Sequence, residues 1–363
     1  MAGALARLLI VEMAGLGPGP FAAMMLADHG ARVIRIERPG NLSVPNDPLT
    51  RNRESLALDL KQPEAREIVR QLAAKADGLI EGYRPGVMEK LCLGPDELLG
   101  DNKRLVYGRV TGWGQDGPLA ERAGHDLNYL ALTGLLSCIG EPDRPPVPPL
   151  NLVADYAGGG LMLAFGMVAA LLHAQRSGEG QVVDAAMTDG AALTGAIIYG
   201  LRAAGLWKDE RGANLLDGGD PIYGCYRCAD GKDIAVGAIE PQFRAALFAG
   251  LGLPVGASRA ELEAVFARRP RDEWAEMFAG TDACVAPVLT LGEAPNHPQN
   301  QARGTFVEVG GVTQPGPTPQ LGLTPAPPPR PPRPDGADGA TILRELGYDE
   351  AAIAASKEKG VLR

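Results

Sequence analysis

Three side chains that can exchange protons stand at positions typical of a catalytic site. His125 lies in a loop rich in glycine, proline and polar residues, Asp155 opens a glycine-rich segment, and Glu240 ends a strand-like run. An imidazole paired with carboxylates can move a proton on and off carbon, because the histidine pKa lies close to neutrality. These residue types therefore indicate general acid/base chemistry.

Asp155 also has a purely structural interpretation. The segment from Asp155 to Ala174 is mostly apolar and is predicted to form one long helix, with Asp155 as its N-cap. The unpaired N–H groups and positive dipole end of that helix start could also hold an oxygen on which negative charge develops. The three glycines from Gly158 to Gly160 predict a close approach of another backbone.

The bulk composition limits the classes of protein. A chain of 363 residues is long enough for two domains, and its net charge of -9 argues against nonspecific binding to nucleic acid. The five cysteines show no disulfide spacing, which favours a reducing compartment. No secretory signal is evident, and the apolar stretch 161–172 is too short to cross a bilayer. We therefore expect a cytoplasmic protein with no membrane partner.

The motif Cys225-x-x-Cys228 is the one candidate for metal or redox chemistry. A zinc site would need a second pair of ligands nearby, and a thioredoxin-like motif would lie between a strand and a helix. This pair lies in a strand-like run without such a second pair. We therefore predict no metal site.

The first half of the chain has the pattern of an α/β protein. A strand at 8–13, a helix at 21–29 that Gly30 ends, and a strand at 32–37 predict a parallel sheet with a right-handed crossover. Further elements are predicted as a helix at 63–74 and strands at 78–81 and 105–110. The loop 15–20 lacks the third glycine of a dinucleotide-binding fingerprint, so a nicotinamide-dependent oxidoreductase is a distant alternative.

The pattern changes after about residue 215. A hairpin turning at Asp230-Gly231 and helices at 241–250 and 258–268 predict a smaller α+β domain. The proline-rich segment 315–334 is predicted to be an extended connector, followed by a short helix that Gly347 ends. We assign residues 1–200 and 320–363 to a large domain and residues 215–312 to a small one.

Several segments together resemble the family III CoA-transferase superfamily and, within it, the α-methylacyl-CoA racemases. They include Gly17-Pro-Gly-Pro20, Glu81-Gly-Tyr-Arg-Pro-Gly86 and Ala123-Gly-His125-Asp126. The other matching stretches are 33–39, 51–53, 58–61, 111–115, 155–159, 212–214 and 343–348. The resemblance implies a Rossmann-like large domain that binds CoA and an interlocked homodimer. Each active site would lie between the large domain of one subunit and the small domain of its partner.

The resemblance also implies roles for individual residues. His125 and Asp155 fall on the acid/base pair of the racemases, and Glu240 falls on an acidic partner from the small domain. No metal or redox cofactor is implied, since CoA is part of the substrate. The residues implied to bind CoA or flank the thioester are Arg38, Leu58, Asp59, Leu60, Lys61, Gly82, Tyr83, Arg84, Lys90, Gly124, Asp126, Leu127, Asn128 and Tyr129.

The activity implied is the interconversion of 2R and 2S forms of 2-methyl-branched acyl-CoA thioesters through an enolate. His125 favours this reaction, because racemisation needs two acid/base groups on opposite faces of the enolate. A CoA-transferase of the same superfamily would instead use Asp155 as a nucleophile, through an anhydride and an enzyme–CoA thioester. A catalytically silent acyl-CoA-binding protein is a third interpretation.

Overall fold

The computed structural model describes residues 3–38 and 47–363, so Pro39 of the matching stretch 33–39 lies outside the described residues. The chain folds into two compact units. The first unit comprises the described residues of 1–133, together with 150–194 and 304–363. The second comprises 134–149 and 195–303.

The first unit is built on a parallel sheet of six strands in the described part of the chain. The strands are β1 (Leu9–Met13), β2 (Arg32–Glu37), β3 (Arg53–Ala57), β4 (Gly78–Glu81), β5 (Val106–Thr111) and β6 (Val182–Ala186). Their order is β3-β2-β1-β4-β5-β6, the order of dinucleotide-binding folds. The predicted parallel sheet is confirmed, whereas strands β3 and β6 were not predicted.

Helices cover the sheet and join its strands. They are α1 (Pro18–Asp28), α2 (Pro63–Lys75), α3 (Val87–Lys90), α4 (Pro95–Asp101) and α5 (Asp126–Leu132). Helix α1 begins at Pro18, three residues before the predicted start, because a proline suits the first helical position and Gly17 adopts a φ of 68°. Its C-cap is His29, and Gly30 follows with a φ of 100°.

One long helix crosses the first unit. A π-helical segment, Leu152–Leu161, continues directly into α6 (Met162–Ser177). The prediction that this helix begins at Asp155 is wrong, since its N-cap is Asn151. At 26 residues it is long and apolar enough to cross a membrane by length and composition, whereas the stretch 161–172 within it is predicted to be too short. Half of the most apolar part of this helix is buried. Leu163 and Met167 pack against the sheet as core residues.

The glycines of the π-helical segment permit the predicted close approach, and the neighbour is α7 (Met187–Thr194). A Cβ atom added at Gly158 would lie 2.5 Å from the backbone nitrogen of Ala191. A Cβ added at Gly190 would lie 1.9 Å from the carbonyl oxygen of Gly158. Real Cβ atoms do not approach backbone so closely, and the two helices therefore pack backbone against backbone.

The second unit contains a three-stranded antiparallel sheet. Strands β7 (Tyr223–Arg227) and β8 (Asp233–Gly237) form the predicted hairpin, and β9 (Val285–Pro287) pairs with β8. The helices are α8 (Ala196–Ala203), α9 (Pro241–Leu251), α10 (Arg259–Phe266), α11 (Arg271–Phe278) and α12 (Pro298–Arg303). The predicted capping box at the start of α10 is confirmed, because Ser258 N–H donates to Glu261 Oε2 at 2.7 Å.

The last part of the chain returns to the first unit. A hairpin of β10 (Phe306–Val309) and β11 (Val312–Pro315) precedes the proline-rich segment, which has no regular structure. The chain then forms the predicted helix α13 (Gly339–Leu346) and a further helix, α14 (Glu350–Glu358). Leu362 bridges Leu58 in antiparallel fashion, so this region borders the loop that follows β3.

Candidate active site

The sheet brings most of the predicted site residues to one edge. Arg38 follows β2, Leu58 follows β3, Gly82 follows β4, and the segment leading to His125 follows β5. All these strands are parallel, so their carboxyl ends lie on the same side of the sheet. Open α/β sheets bind their ligands at this edge, where the strand order reverses. Here the order reverses between β1 and β4.

His125 is the N-cap residue of α5 and is exposed. Its backbone N–H donates to Asn128 Oδ1 at 3.1 Å, and its carbonyl accepts from Asn128 N–H at 2.8 Å. These two bonds fix the backbone of His125 while its imidazole faces solvent. The side chain is thus available to a ligand at the edge of the sheet.

Asp155 lies in the first half of the π-helical segment and is half-buried. Burial raises the pKa of its carboxyl. A hydrogen bond from Asn151 Nδ2 at 3.4 Å lowers the pKa, the charge of Asp126 raises it, and His125 lowers it. The net effect is a raised pKa, and the charge of His125 is the smallest of these four influences.

Asp126 connects the two elements that carry this pair. Its Oδ2 accepts hydrogen bonds from the backbone N–H groups of Ala154 at 2.7 Å and Asp155 at 2.8 Å. The carboxylate therefore fills the role of a cap for the helix that carries Asp155, although it comes from α5. These two N–H groups near the start of the helix are consequently occupied and do not serve as donors to an oxyanion.

Tyr129 and its neighbours form a wall beside the pair. The Tyr129 hydroxyl donates to the carbonyl of Gly124, and its ring meets Trp113 edge to face with centroids 4.8 Å apart. Burial and then the charge of Asp155 raise the pKa of Tyr129, while the exposed Arg84 lowers it. The charges of Arg84, in the loop after β4, and of Asp155, in the long helix, thus act on the same phenol with opposite sign.

The loop after β3, where backbone contacts to CoA are predicted, is held by hydrogen bonds within the protein. Leu58 is buried and its N–H donates to the carbonyl of Glu37 at 3.1 Å. Asp59 Oδ1 accepts from the backbone N–H of Lys61 at 3.2 Å, which forms a tight turn. Leu60 packs against the core, and Lys61 is exposed.

The loops after β2 and β4 place further cations at this edge. Burial raises the pKa of Tyr83, and the charge of Arg38 lowers it, so the two residues are electrostatic neighbours. Tyr83 N–H donates to the buried carboxylate of Glu81 at 2.7 Å, which shapes the turn through the exposed Gly82. Lys90 lies exposed at the end of α3.

The remaining predicted residues lie on α5 and in the second unit. Leu127 and Asn128 are exposed in the first turn of α5. Glu240, in the second unit, is the exposed N-cap of α9, and its side chain makes no capping hydrogen bond. Its carboxylate is therefore free of its own helix.

The structure adds two residues to the surroundings of Asp155 that were not predicted. Asn151 donates to its carboxylate, and a Cβ added at Gly17 would lie 3.7 Å from Asp155 Oδ2. The spacing of Asn151 and Asp155, one helical turn apart, is the signal that could have revealed the first. The second depends on the packing of α1 against the π-helical segment, which the local pattern does not contain.

Comparison with known proteins is consistent with this architecture. The model of CoA-transferase family III matches residues 5–339. A crystal structure of a CAIB/BAIF family protein from Brucella suis superposes with a TM-score of 0.81 at 27% identity, covering 95% of this chain and all of that one (100%). The chain belongs to CoA-transferase family III.

Two relatives from mouse and human are more similar in sequence. The chain is 48% identical over 358 residues to a mouse protein named alpha-methylacyl-CoA racemase, covering 95% of this chain and 93% of that one. It is 47% identical over 365 residues to the human protein of the same name, covering 96% and 95%.

Proposed function

We propose that this protein is an isomerase that interconverts the 2R and 2S forms of 2-methyl-branched acyl-CoA thioesters. The observation that carries the proposal is the hydrogen bond at 2.8 Å from the backbone N–H of the half-buried Asp155 to the side chain of Asp126, the residue next to His125, because it joins the two elements that bear the acid/base groups. The near 50% identity to two racemases supports it. Both protons are exchanged with side chains and no electrons are transferred, so the reaction needs no redox cofactor.

The proposed reaction removes the α-proton with one residue and returns a proton from the other. The thioester passes through a planar enolate, and His125 and Asp155 act on its opposite faces. A general base works best when its pKa approaches the working pH. The raised pKa of Asp155 moves that carboxyl in the required direction. Each acid/base group contributes roughly 10²–10⁴ in rate.

The enolate oxygen needs hydrogen-bond donors of its own. The N–H groups of Ala154 and Asp155 already donate to Asp126. The first turn of α5 offers donors instead, because the first N–H groups of a helix have no intrahelical acceptor. This turn begins beside His125, so the oxygen and the α-carbon would be held by the same segment.

We propose that the loops of the first unit bind CoA. Arg38, Lys61, Arg84 and Lys90 are exposed cations on these loops or on α3, and cations suit the phosphates of CoA. Lysine binds phosphate as a point charge, whereas arginine binds it with two parallel bonds. Lys90 would thus contribute attraction without strict geometry.

We also propose a homodimer in which Glu240 of one subunit completes the site of the other and orients His125. An exposed apolar face on α6 supports an interface, since Phe165 is 73% and Leu172 46% exposed. The substitution Phe165→Lys is expected to yield monomers in analytical ultracentrifugation. A dimer that persists unchanged would remove α6 from the interface.

The decisive experiment is proton NMR of (2S)-2-methylacyl-CoA with the protein in deuterium oxide. We expect loss of the α-proton signal together with appearance of the 2R epimer, without any free acid present. Transfer of CoA to an added carboxylic acid, with no α-proton exchange, would instead identify a transferase with Asp155 as nucleophile. Binding with neither reaction would identify a silent acyl-CoA-binding protein.

A further inference from the structure

We propose that Asp126 is a positioning residue whose buried carboxylate holds the helix that bears Asp155 and places a negative charge beside that residue. The proposal rests on the acid/base role of Asp155 in the proposed function. It assigns to Asp126 a task beyond contact with the substrate, carried out by its side chain within the protein.

The geometry joins two elements through a single carboxylate. Asp126 follows His125 at the start of α5 and is only 3% exposed. Its Oδ2 accepts from Ala154 N–H at 2.7 Å and from Asp155 N–H at 2.8 Å. The residue that bears one acid/base group is therefore covalently next to the cap of the helix that bears the other. A shift of either element would break these bonds.

The second oxygen indicates that this carboxylate is not placed for stability alone. Asp126 Oδ1 is buried and has no hydrogen-bond partner in the described part of the chain. A buried carboxylate oxygen without a hydrogen-bond partner costs free energy. The negative charge of Asp126 therefore acts on the neighbouring carboxyl group of Asp155.

The charges around Asp155 identify Asp126 as the group that raises its proton affinity. Among charged groups on the elements packed against the helix, Asp126 raises the pKa of Asp155 and His125 lowers it. Asp189 of α7 acts on the pKa of Asp184 instead. Removal of the Asp126 charge therefore leaves burial as the remaining cause of a raised pKa in Asp155.

Two substitutions separate the positional part from the electrostatic part. Asp126→Asn keeps an oxygen that can accept from the two N–H groups but removes the charge, so the pKa of Asp155 is expected to fall. Asp126→Ala removes the bonds as well. We expect kcat for α-proton exchange to fall about tenfold in Asp126→Asn and about a hundredfold in Asp126→Ala, with KM for the thioester nearly unchanged.

The pKa of Asp155 is read directly by carbon-13 NMR of aspartate-labelled protein, with the signal assigned by its absence in Asp155→Asn. This readout does not depend on turnover, so it tests the proposal even if the wild-type protein does not racemise its substrate. A lower pKa of Asp155 in Asp126→Asn supports the proposal. An unchanged or higher pKa overturns it.

Asp349 provides a matched control for the capping bonds. Its Oδ1 accepts from Ala352 N–H at 2.8 Å at the start of α14. Asp349→Ala should lower the melting temperature without changing kcat. If Asp126→Ala lowers kcat no more than Asp349→Ala does, the positional part of the proposal is wrong. If Asp126→Ala does not fold, Asp126→Asn decides through the NMR titration.

Discussion

The two candidate acid/base residues of the first unit are held in opposite ways. Asp155 lies within a helix of 26 residues, half-buried and bonded through its backbone to Asp126. His125 caps a helix of seven residues and is exposed, with only its backbone fixed by Asn128. The position and pKa of the Asp155 carboxyl are thus set by the surrounding residues of the first unit. The orientation of the His125 imidazole depends on the bound substrate or on a further group, for which we propose Glu240.

The largest effects are expected from removing either group. His125→Ala and Asp155→Asn should each lower the rate of α-proton exchange by roughly 10²–10⁴, because each removes the acid/base group on one face of the enolate. Exchange of the α-proton of (2S)- and (2R)-2-methylacyl-CoA in deuterium oxide measures the loss. His297→Ala is the control, since His297 lies directly before α12, away from α6 and from the predicted site residues in the sequence. Near-normal racemisation in His125→Ala would contradict the assignment.

A smaller effect is expected from a substitution that disturbs the packing of the helix that carries Asp155. Gly190→Ala would push α7 away from the backbone of Gly158, with a loss of about 1–3 kcal/mol in the free energy of unfolding. Because the π-helical segment carries Asp155, activity should also fall, by about tenfold or more. Urea denaturation and α-proton exchange report the two quantities.

Gly200→Ala is the control for this glycine substitution. Gly200 lies inside α8, and nothing lies within 4 Å of a Cβ added there. An alanine should raise stability by about 0.5–1 kcal/mol and leave activity unchanged. Equal stability in Gly190→Ala and Gly200→Ala would show that the two helices separate without cost.

The smallest effect is expected from removing the hydrogen bond that holds the backbone of the exposed His125. Asn128→Ala removes the acceptor for His125 N–H and should lower the free energy of unfolding by about 0.5–1.5 kcal/mol, with a loss of activity of a few-fold. Glu261→Ala breaks a bond of the same type at the start of α10 and should affect stability alone. If the two variants are equally active, the backbone of His125 needs no such support.

Elements with strong local signals could be predicted from the sequence. The strands at 32–37 and 78–81 were placed correctly, and so were the hairpin at Asp230-Gly231 and the capping box of α10. Strand β3 contains Arg53 and Glu54, and Val182 and Asp184 of β6 are exposed, so neither has an apolar run. Their pairing with the sheet decides their conformation, and that pairing is not local.

The start of the long helix shows why part of the site could not be predicted. Asp155 has the residue type of an N-cap, and local preference alone places the helix start there. The capping carboxylate comes instead from Asp126, 29 positions before Asp155 in the chain. That bond frees the Asp155 side chain from a capping role. Only the packing of α5 against the helix reveals it.

The raised pKa of Asp155 also bears on how the protein could be made more heat-resistant. An acid with a raised folded-state pKa binds its proton more tightly folded than unfolded, so it lowers stability as pH rises above the ordinary aspartate range. At neutral pH, Asp155→Asn should therefore melt at a higher temperature than the wild type. A selection for thermal tolerance alone would favour the loss of this carboxylate, and only a concurrent selection for turnover would retain it.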